Sequence, residues 1–246
     1  MTLWYEGPLA AFGAATTGRD AEGDRIVSAA VVTQEAPGTQ PRVTRWLVDP
    51  GVPVPARSCP SEDFLHRNGR WPAPVVEEIA RALARACGLG VPLVVPHASY
   101  GLAVLDRELL RHRASRLARY VEPARLCVLD PCVLDGHLAR HPARRRPGRH
   151  DARRGVAELC ERYGVGYADA DEPALRAVAA LEVTRALGRR FATRLGRLTA
   201  AELHRLQGAW HAAQVRRPFG RRAPGRARAG AAAGWPLPPD RPATVV

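Results

Sequence analysis

The sequence contains no lysine. All 37 of its basic residues are arginine, set among abundant alanine, glycine and proline. A very GC-rich genome yields that composition, so mutational bias accounts for part of the net charge of +13. Apolar runs long enough to span a bilayer are also missing. The N-terminus, Met1-Thr2-Leu3-Trp4-Tyr5-Glu6, lacks the basic segment of a signal peptide. These absences predict a cytoplasmic protein with no membrane partner. The five cysteines, Cys59, Cys87, Cys127, Cys132 and Cys160, are odd in number and contain no Cys-x-x-Cys pair. Reduced, mostly buried thiols are expected rather than a disulfide framework. Cys127-x4-Cys132 has no companion ligand at metal-binding spacing, so no metal is assigned to it.

What is present is a chain of 246 residues with 46% hydrophobic content, enough for one sizeable core. Its charge is uneven. Residues 140–154 and 214–246 each carry seven Arg against one Asp, +6 apiece, which leaves +1 for everything else. Basicity concentrated in one loop and one tail admits electrostatic contact with DNA or RNA. The tail around Arg217–Arg228 has almost no aromatic residue except Phe219, so base stacking and specific base readout are not expected there.

Along the chain, Pro8–Gly18 reads as a buried strand ending in a Thr-Thr-Gly turn. Arg25–Thr33 reads as a second buried strand, and Arg42–Val48 alternates as a half-buried third. After a Pro-rich loop, Val75–Cys87 is an amphipathic helix, with Pro74 at its start and Gly88 just past its end. Pro92–Pro96 and Arg125–Leu129 are short strands, with helix over Leu102–Arg113 between them and a helix or turn from Val133. Residues 140–154 are expected as a flexible loop, followed by helix at Val156–Tyr163 and a long Ala-rich helix from Pro173 to about Arg194. Thr199-Ala-Ala-Glu202 is a capping box opening a last helix to about Arg216. A core domain over 1–212 with a C-terminal helical extension, then an Arg/Pro/Gly/Ala-rich disordered tail over 213–246, completes the layout. Three antiparallel strands followed by β–α crossovers predict an α/β fold: a mixed five-stranded sheet flanked by helices.

The first strand carries more. Phe12, Thr16, Thr17 and Gly18 match the motif Phe-Asp-x-Glu-Thr-Thr-Gly, and the chain is thereby similar to the DnaQ-like 3′–5′ exonucleases of the DEDDh type. That family includes the DNA polymerase III epsilon exonuclease domain, and the likeness is to its actinobacterial type. Matches extend over residues 7–212 and include Arg67-Asn-Gly-Arg-Trp71, Leu159-Cys160-x-x-Tyr163-Gly164-Val165 and Trp210-His211-Ala-Ala-Gln214. The resemblance implies a ribonuclease-H-like fold. It also implies a phosphodiester-cleaving site in which two Mg or Mn ions are held by four acids beside a general-base His, because hard cations need oxygen ligands.

The residues at those positions differ. Gly13 and Ala15 replace the two acids of the first motif. In the second, Asn-x-x-Phe-Asp becomes His97-Ala-Ser-Tyr100-Gly101, so Gly101 takes the acidic place. In the third, Asp171 takes the place of the base and Arg176 that of the last ligand, a fixed positive charge where a metal should bind. The Ile-His-Gly segment of the family is absent from a shortened Val54–Glu62 loop. No catalytic residue, metal ligand or cofactor is therefore assigned. The expectation is a pseudo-exonuclease that keeps nucleic-acid or protein-partner binding. Thr16, Thr17, Tyr100, Arg144, Arg145 and Arg146 are its candidate nucleic-acid contacts. The alternatives are an active 3′–5′ exonuclease with a metal site rebuilt from Asp171 and Glu172, and a pure protein-interaction module.

Plainer readings accompany these assignments. Thr16-Thr17-Gly18 is, taken alone, a strand-ending turn, and His97 a satisfied strand-end histidine. Asp169, Asp171 and Glu172 read as a solvated helix-capping group. Asp106 and Glu108, on a helix that turns outward, read as surface charges.

Overall fold

The computed structural model describes residues 3–55, 60–139, 155–167, 172–216 and 235–237. The expected loop over 140–154, with Arg144, Arg145 and Arg146, lies outside them, as do Asp169, Asp171, Cys59 and most of the expected tail.

Five strands form one sheet in the order β3-β2-β1-β4-β5. β1 (Leu9–Thr16), β2 (Ile26–Gln34) and β3 (Arg42–Leu47) make an antiparallel meander. β4 (Leu93–Val94) and β5 (Val128–Leu129) join β1 in parallel, each fed by a helical crossover. This is the expected mixed sheet. β2 is buried over most of its length and β1 over its first half, hence their near-continuous apolar runs, whereas the edge strand β3 is largely exposed, with Trp46 its one buried residue and no regular alternation.

One face of the sheet is covered by α2 (Pro72–Gly88) and α3 (Ala98–Arg113), over a cluster that includes Phe12, Ile26, Ile79, Leu83, Leu102 and Leu105. The other is covered mainly by α6 (Pro173–Arg190) with α4 (Pro131–Leu138) and α5 (Val156–Tyr163), over Leu9, Ala11, Val32, Leu134 and Leu181. α8 (Ala200–Arg216) covers the free edge of β5 with polar groups. Gln207 donates to the Val128 carbonyl at 3.1 Å and accepts from the Asp130 amide at 2.7 Å, and the Val128 amide donates to His204 Nδ1 at 3.1 Å. An edge strand so capped cannot pair with another chain. The Thr199–Glu202 capping box is formed, each residue's side chain accepting from the other's amide, at 2.8 and 3.2 Å.

Several elements depart from the sequence reading. α1 (Glu62–Asn68) falls in a stretch whose polar composition signals no helix. It starts because Ser61 caps it and acids occupy its first turn. α2 begins at Pro72 rather than near Pro74, because proline is accommodated in the first turn, where amides have no intrahelical acceptor. The long helix stops at Arg190, and α7 (Ala192–Leu195) continues as a separate turn.

Asp106 and Glu108 are not surface charges. Asp106 is 7% exposed and Glu108 is wholly buried. Asp106 accepts from the Leu117 amide and from Arg116, so it anchors the chain leaving α3. Glu108 is paired with Arg111 and faces Arg25, which ties α3 to the start of β2. Within the expected tail, 213–216 continue α8 and Trp235–Leu237 pack onto the first cluster, because two large apolar residues among small and polar ones have a surface to bury.

Candidate functional site

The meander's register sets the site. Gly13 pairs with Ala30 and Ala30 with Arg45, while Ala15 pairs with Ser28 and Ser28 with Leu47. Paired residues share a face, so these two rows run across the sheet on the side covered by α6. The N-terminus of α6 sits over them. Between that turn and the rows lies a cleft of about 470 Å³, lined chiefly by Ser28, Ala30, Arg45, Leu47, Pro60 and Pro173. Arg45 Nε donates to Glu172 Oε1 at 2.5 Å, an ion pair joining β3 to the residue that precedes α6.

Gly13 has no room for a side chain. A Cβ there would stand 2.7 Å from the Pro173 carbonyl oxygen and 3.5 Å from Ala177 Cβ. The backbone of α6 occupies the space that a side chain at position 13 would need. Position 101 is different. Gly101 lies in the first turn of α3, and a Cβ there would meet Val95 Cγ1 at an ordinary 3.5 Å. Arg176 lies on α6 one turn beyond Glu172, with its Nε shielded from solvent.

The Thr-Thr-Gly turn is closed on itself. Thr16 Oγ1 and the Tyr100 hydroxyl lie 2.8 Å apart and both reach the Gly18 carbonyl, at 2.7 and 2.8 Å. Thr17 Oγ1 donates to Asp24 Oδ1 at 2.9 Å and accepts from the Arg25 amide at 3.0 Å. Burial raises the Tyr100 phenol above its ordinary value, against the lowering effect of its bond with Thr16. Three expected nucleic-acid contacts are thus brought together as a lock between β1, the following turn and α3. Their hydroxyls are turned inward.

Asp130 is a feature that sequence reasoning missed. It is 2% exposed and sits at the C-terminal end of β5. One of its oxygens accepts from the Ala98 amide at 3.0 Å and the other from the Cys132 amide at 2.8 Å, so a single carboxylate caps both α3 and α4. The signal was available as an Asp directly before Pro131, the pairing of a cap with a first-turn proline. His97, at left-handed φ of 52°, precedes α3, with its Nε2 3.8 Å from Cys132 Sγ. Burial first, then the Asp130 charge, pushes the Cys132 thiol well above its ordinary value. It stays a protonated thiol rather than a nucleophilic thiolate.

The described residues do not form a two-metal centre. Among the described residues no group of three or more His, Cys, Asp or Glu is placed to hold a metal ion. The positions implied by the resemblance offer two glycines, an alanine and a guanidinium. No helix among the described residues is long and apolar enough to cross a membrane.

No family model matches the chain, and no curated protein matches it. Solved structures do. The chain is similar to a moderately thermophilic exonuclease I from Methylocaldum szegediense, with TM-score 0.60, 14% identity, 84% of this chain covered and 45% of that one. It is similar to E. coli exonuclease I in complex with a 5cy-dA13 oligonucleotide, with TM-score 0.57, 12% identity and coverage of 77% and 42%. It is also similar to an exonuclease I–SSB-Ct complex, with TM-score 0.57, 13% identity and coverage of 76% and 42%. The chain spans under half the length of each of these neighbours. At such identities the likeness shows architecture, and the architecture is the ribonuclease-H-like α/β fold of the exonucleases.

Proposed function

We propose that this chain is a DnaQ-type pseudo-exonuclease, a protein that binds single-stranded nucleic acid along the cleft beside α6 and does not cleave it. The packing of the Pro173 carbonyl against Gly13 carries the reading. Loss of an acid by substitution alone could be reversed by substitution. Here the helix backbone leaves no room for any side chain at position 13, which supports a site that no longer accommodates that acid. Arg176 adds a permanent cation where a divalent ion would have to sit, and metal-dependent hydrolysis needs several carboxylates around two ions about 4 Å apart.

Binding is the function that survives these changes. The cleft keeps small side chains on its floor and Arg45 on its wall, a shape open to a flat, anionic chain. The neighbours' complexes with an oligonucleotide and with SSB-Ct make nucleic-acid and protein partners reasonable for this architecture. The cleft favours nucleic acid, because among its described lining residues the cation, Arg45, is held by an ion pair with Glu172, which a phosphate can replace.

Fluorescence anisotropy of a labelled oligonucleotide against the purified protein tests this. Binding should weaken as salt rises, since cations that contact phosphates release condensed counterions. Arg45→Ala should weaken it further and flatten that dependence. Absence of binding at low salt, or binding indifferent to Arg45→Ala, would overturn the reading.

A further inference from the structure

The second observation concerns α8 and stands apart from the cleft. Trp235 lies nineteen residues past Arg216, the last residue of α8, and its indole rests on that helix. Its ring centroid is 5.4 Å from that of His211 and 6.3 Å from that of His204, with interplanar angles of 40° and 38°. Between the two imidazoles the helix carries Gly208, and a Cβ there would lie 3.2 Å from Trp235 Cδ1, tighter than normal packing. His204, Gly208 and His211 are spaced four and three residues apart, so they form one stripe of the helix. The stripe is a slot: two rings as walls and a missing side chain as the floor. Leu237 packs beside Trp235 on the cluster beneath α2 and α3, and Pro236 joins them. His211 also reaches Ser99 in the first turn of α3, with Nε2 3.3 Å from Oγ, which fixes one wall of the slot to the main fold.

We infer that the His204–Gly208–His211 stripe of α8 is a receptor for an aromatic-Pro-aliphatic peptide segment, filled in this chain by its own Trp235-Pro236-Leu237 and open to the same motif on a partner protein. Two features mark the contact as exchangeable. The Trp235 indole nitrogen is buried with no hydrogen-bond acceptor, so the slot recognises a flat ring by shape and leaves its donor unmet. A Phe should therefore serve as well as a Trp. The intramolecular segment is also tethered by the eighteen residues 217–234. A segment on the same chain competes with any partner peptide for the slot.

The experiment uses full-length protein and a fluorescein-labelled peptide with the sequence of residues 232–239. Trp235→Ala empties the slot, so this variant should bind the peptide at least about tenfold more tightly than the wild-type chain, whose own segment competes. The peptide with Phe for Trp should bind comparably, and the peptide with Ala for Trp should not bind. Gly208→Leu keeps Trp235 but fills the floor with a better helix former. It should abolish peptide binding when combined with Trp235→Ala. Alone it should displace Trp235 and raise hydrogen–deuterium exchange at residues 235–237. A folded Trp235→Ala protein that binds the peptide no better than wild type would overturn the inference. So would unchanged exchange in the Gly208→Leu protein.

Discussion

Replacing Gly13 by alanine adds one methyl group at a place where the structure leaves no space for it. The new Cβ would stand 2.7 Å from the Pro173 carbonyl oxygen. That is inside van der Waals contact, and the obstacle is backbone, which cannot rotate aside. Either the first turn of α6 lifts or β1 shifts against β2, to which Gly13 is paired through Ala30. Overpacking of this kind costs about 1–3 kcal/mol, and for a domain of this size that lowers Tm by roughly 2–12 °C. Gly101→Ala is the matched control. Its Cβ meets only Val95 Cγ1 at 3.5 Å, and replacing glycine in a helix by alanine gains up to about 1 kcal/mol, so this variant should melt at or slightly above the wild-type temperature. Thermal and urea unfolding of both variants, followed by circular dichroism, gives the comparison. Gly13→Asp should be worse than Gly13→Ala, because a larger side chain meets the same immovable backbone oxygen. Equal stability of Gly13→Ala and wild type would show that the site has room for a ligand and would refute the argument from packing.

Other variants test the supports of the fold. Arg185 is fully buried and donates to the Tyr5 and Gly7 carbonyls at 2.5 and 2.9 Å and to Gln34 Oε1 at 3.0 Å. Arg185→Met leaves those neutral acceptors unmet and should lower the urea-unfolding free energy by about 1–3 kcal/mol for each one left buried without a donor. Asp130→Ala removes the shared cap of α3 and α4 and should cost about 1–2 kcal/mol per helix start, read by the same titration, with Asp130→Asn recovering part of it. Burial raises the Glu108 pKa despite the nearby Arg111 and Arg25 charges. A carboxyl with a raised native pKa binds more protons folded than unfolded. Its contribution is therefore fully present below the ordinary carboxyl value of 4.5 and is lost as pH rises through the raised value. Wild type should accordingly lose stability relative to Glu108→Gln as pH rises above 4.5. A difference that is flat with pH would contradict the assignment.

Much of this was legible in the sequence because the strongest signals are local. The apolar runs of β1 and β2 follow from their burial, and the capping box at Thr199 and Glu202 closes within one turn. The Pro, Gly and amphipathic patterns placed α2, α5 and α8. What escaped depends on partners far along the chain. Asp106 and Glu108 look like ordinary surface acids until Arg116, Arg111 and Arg25 are seen to enclose them. Trp235 sits in a stretch whose average composition argues against order, and residues on other elements, Gly208, His204 and His211 with the core cluster, explain its place. At the candidate site the sequence showed small residues, Gly13 and Ala15, on the first strand. It could not show that position 13 has no room for a side chain, because the atom in the way is a backbone oxygen 160 residues away in the sequence. The inward turn of Thr16, Thr17 and Tyr100 is likewise a matter of geometry, since hydroxyls at a strand end serve a lock and a ligand equally well.

The central claim is that this architecture has given up metal-dependent cleavage. It is tested most directly by release of labelled nucleotide from the 3′ end of a single strand, with Mg²⁺ or Mn²⁺ against an EDTA control, alongside an Asp171→Ala/Glu172→Ala variant. The account predicts no metal-dependent release by wild type beyond that of the variant, from protein that still retards the strand at low salt. Metal-dependent release that disappears in the variant would mean that acids at the start of α6 form a working site, and the pseudo-exonuclease reading would be wrong.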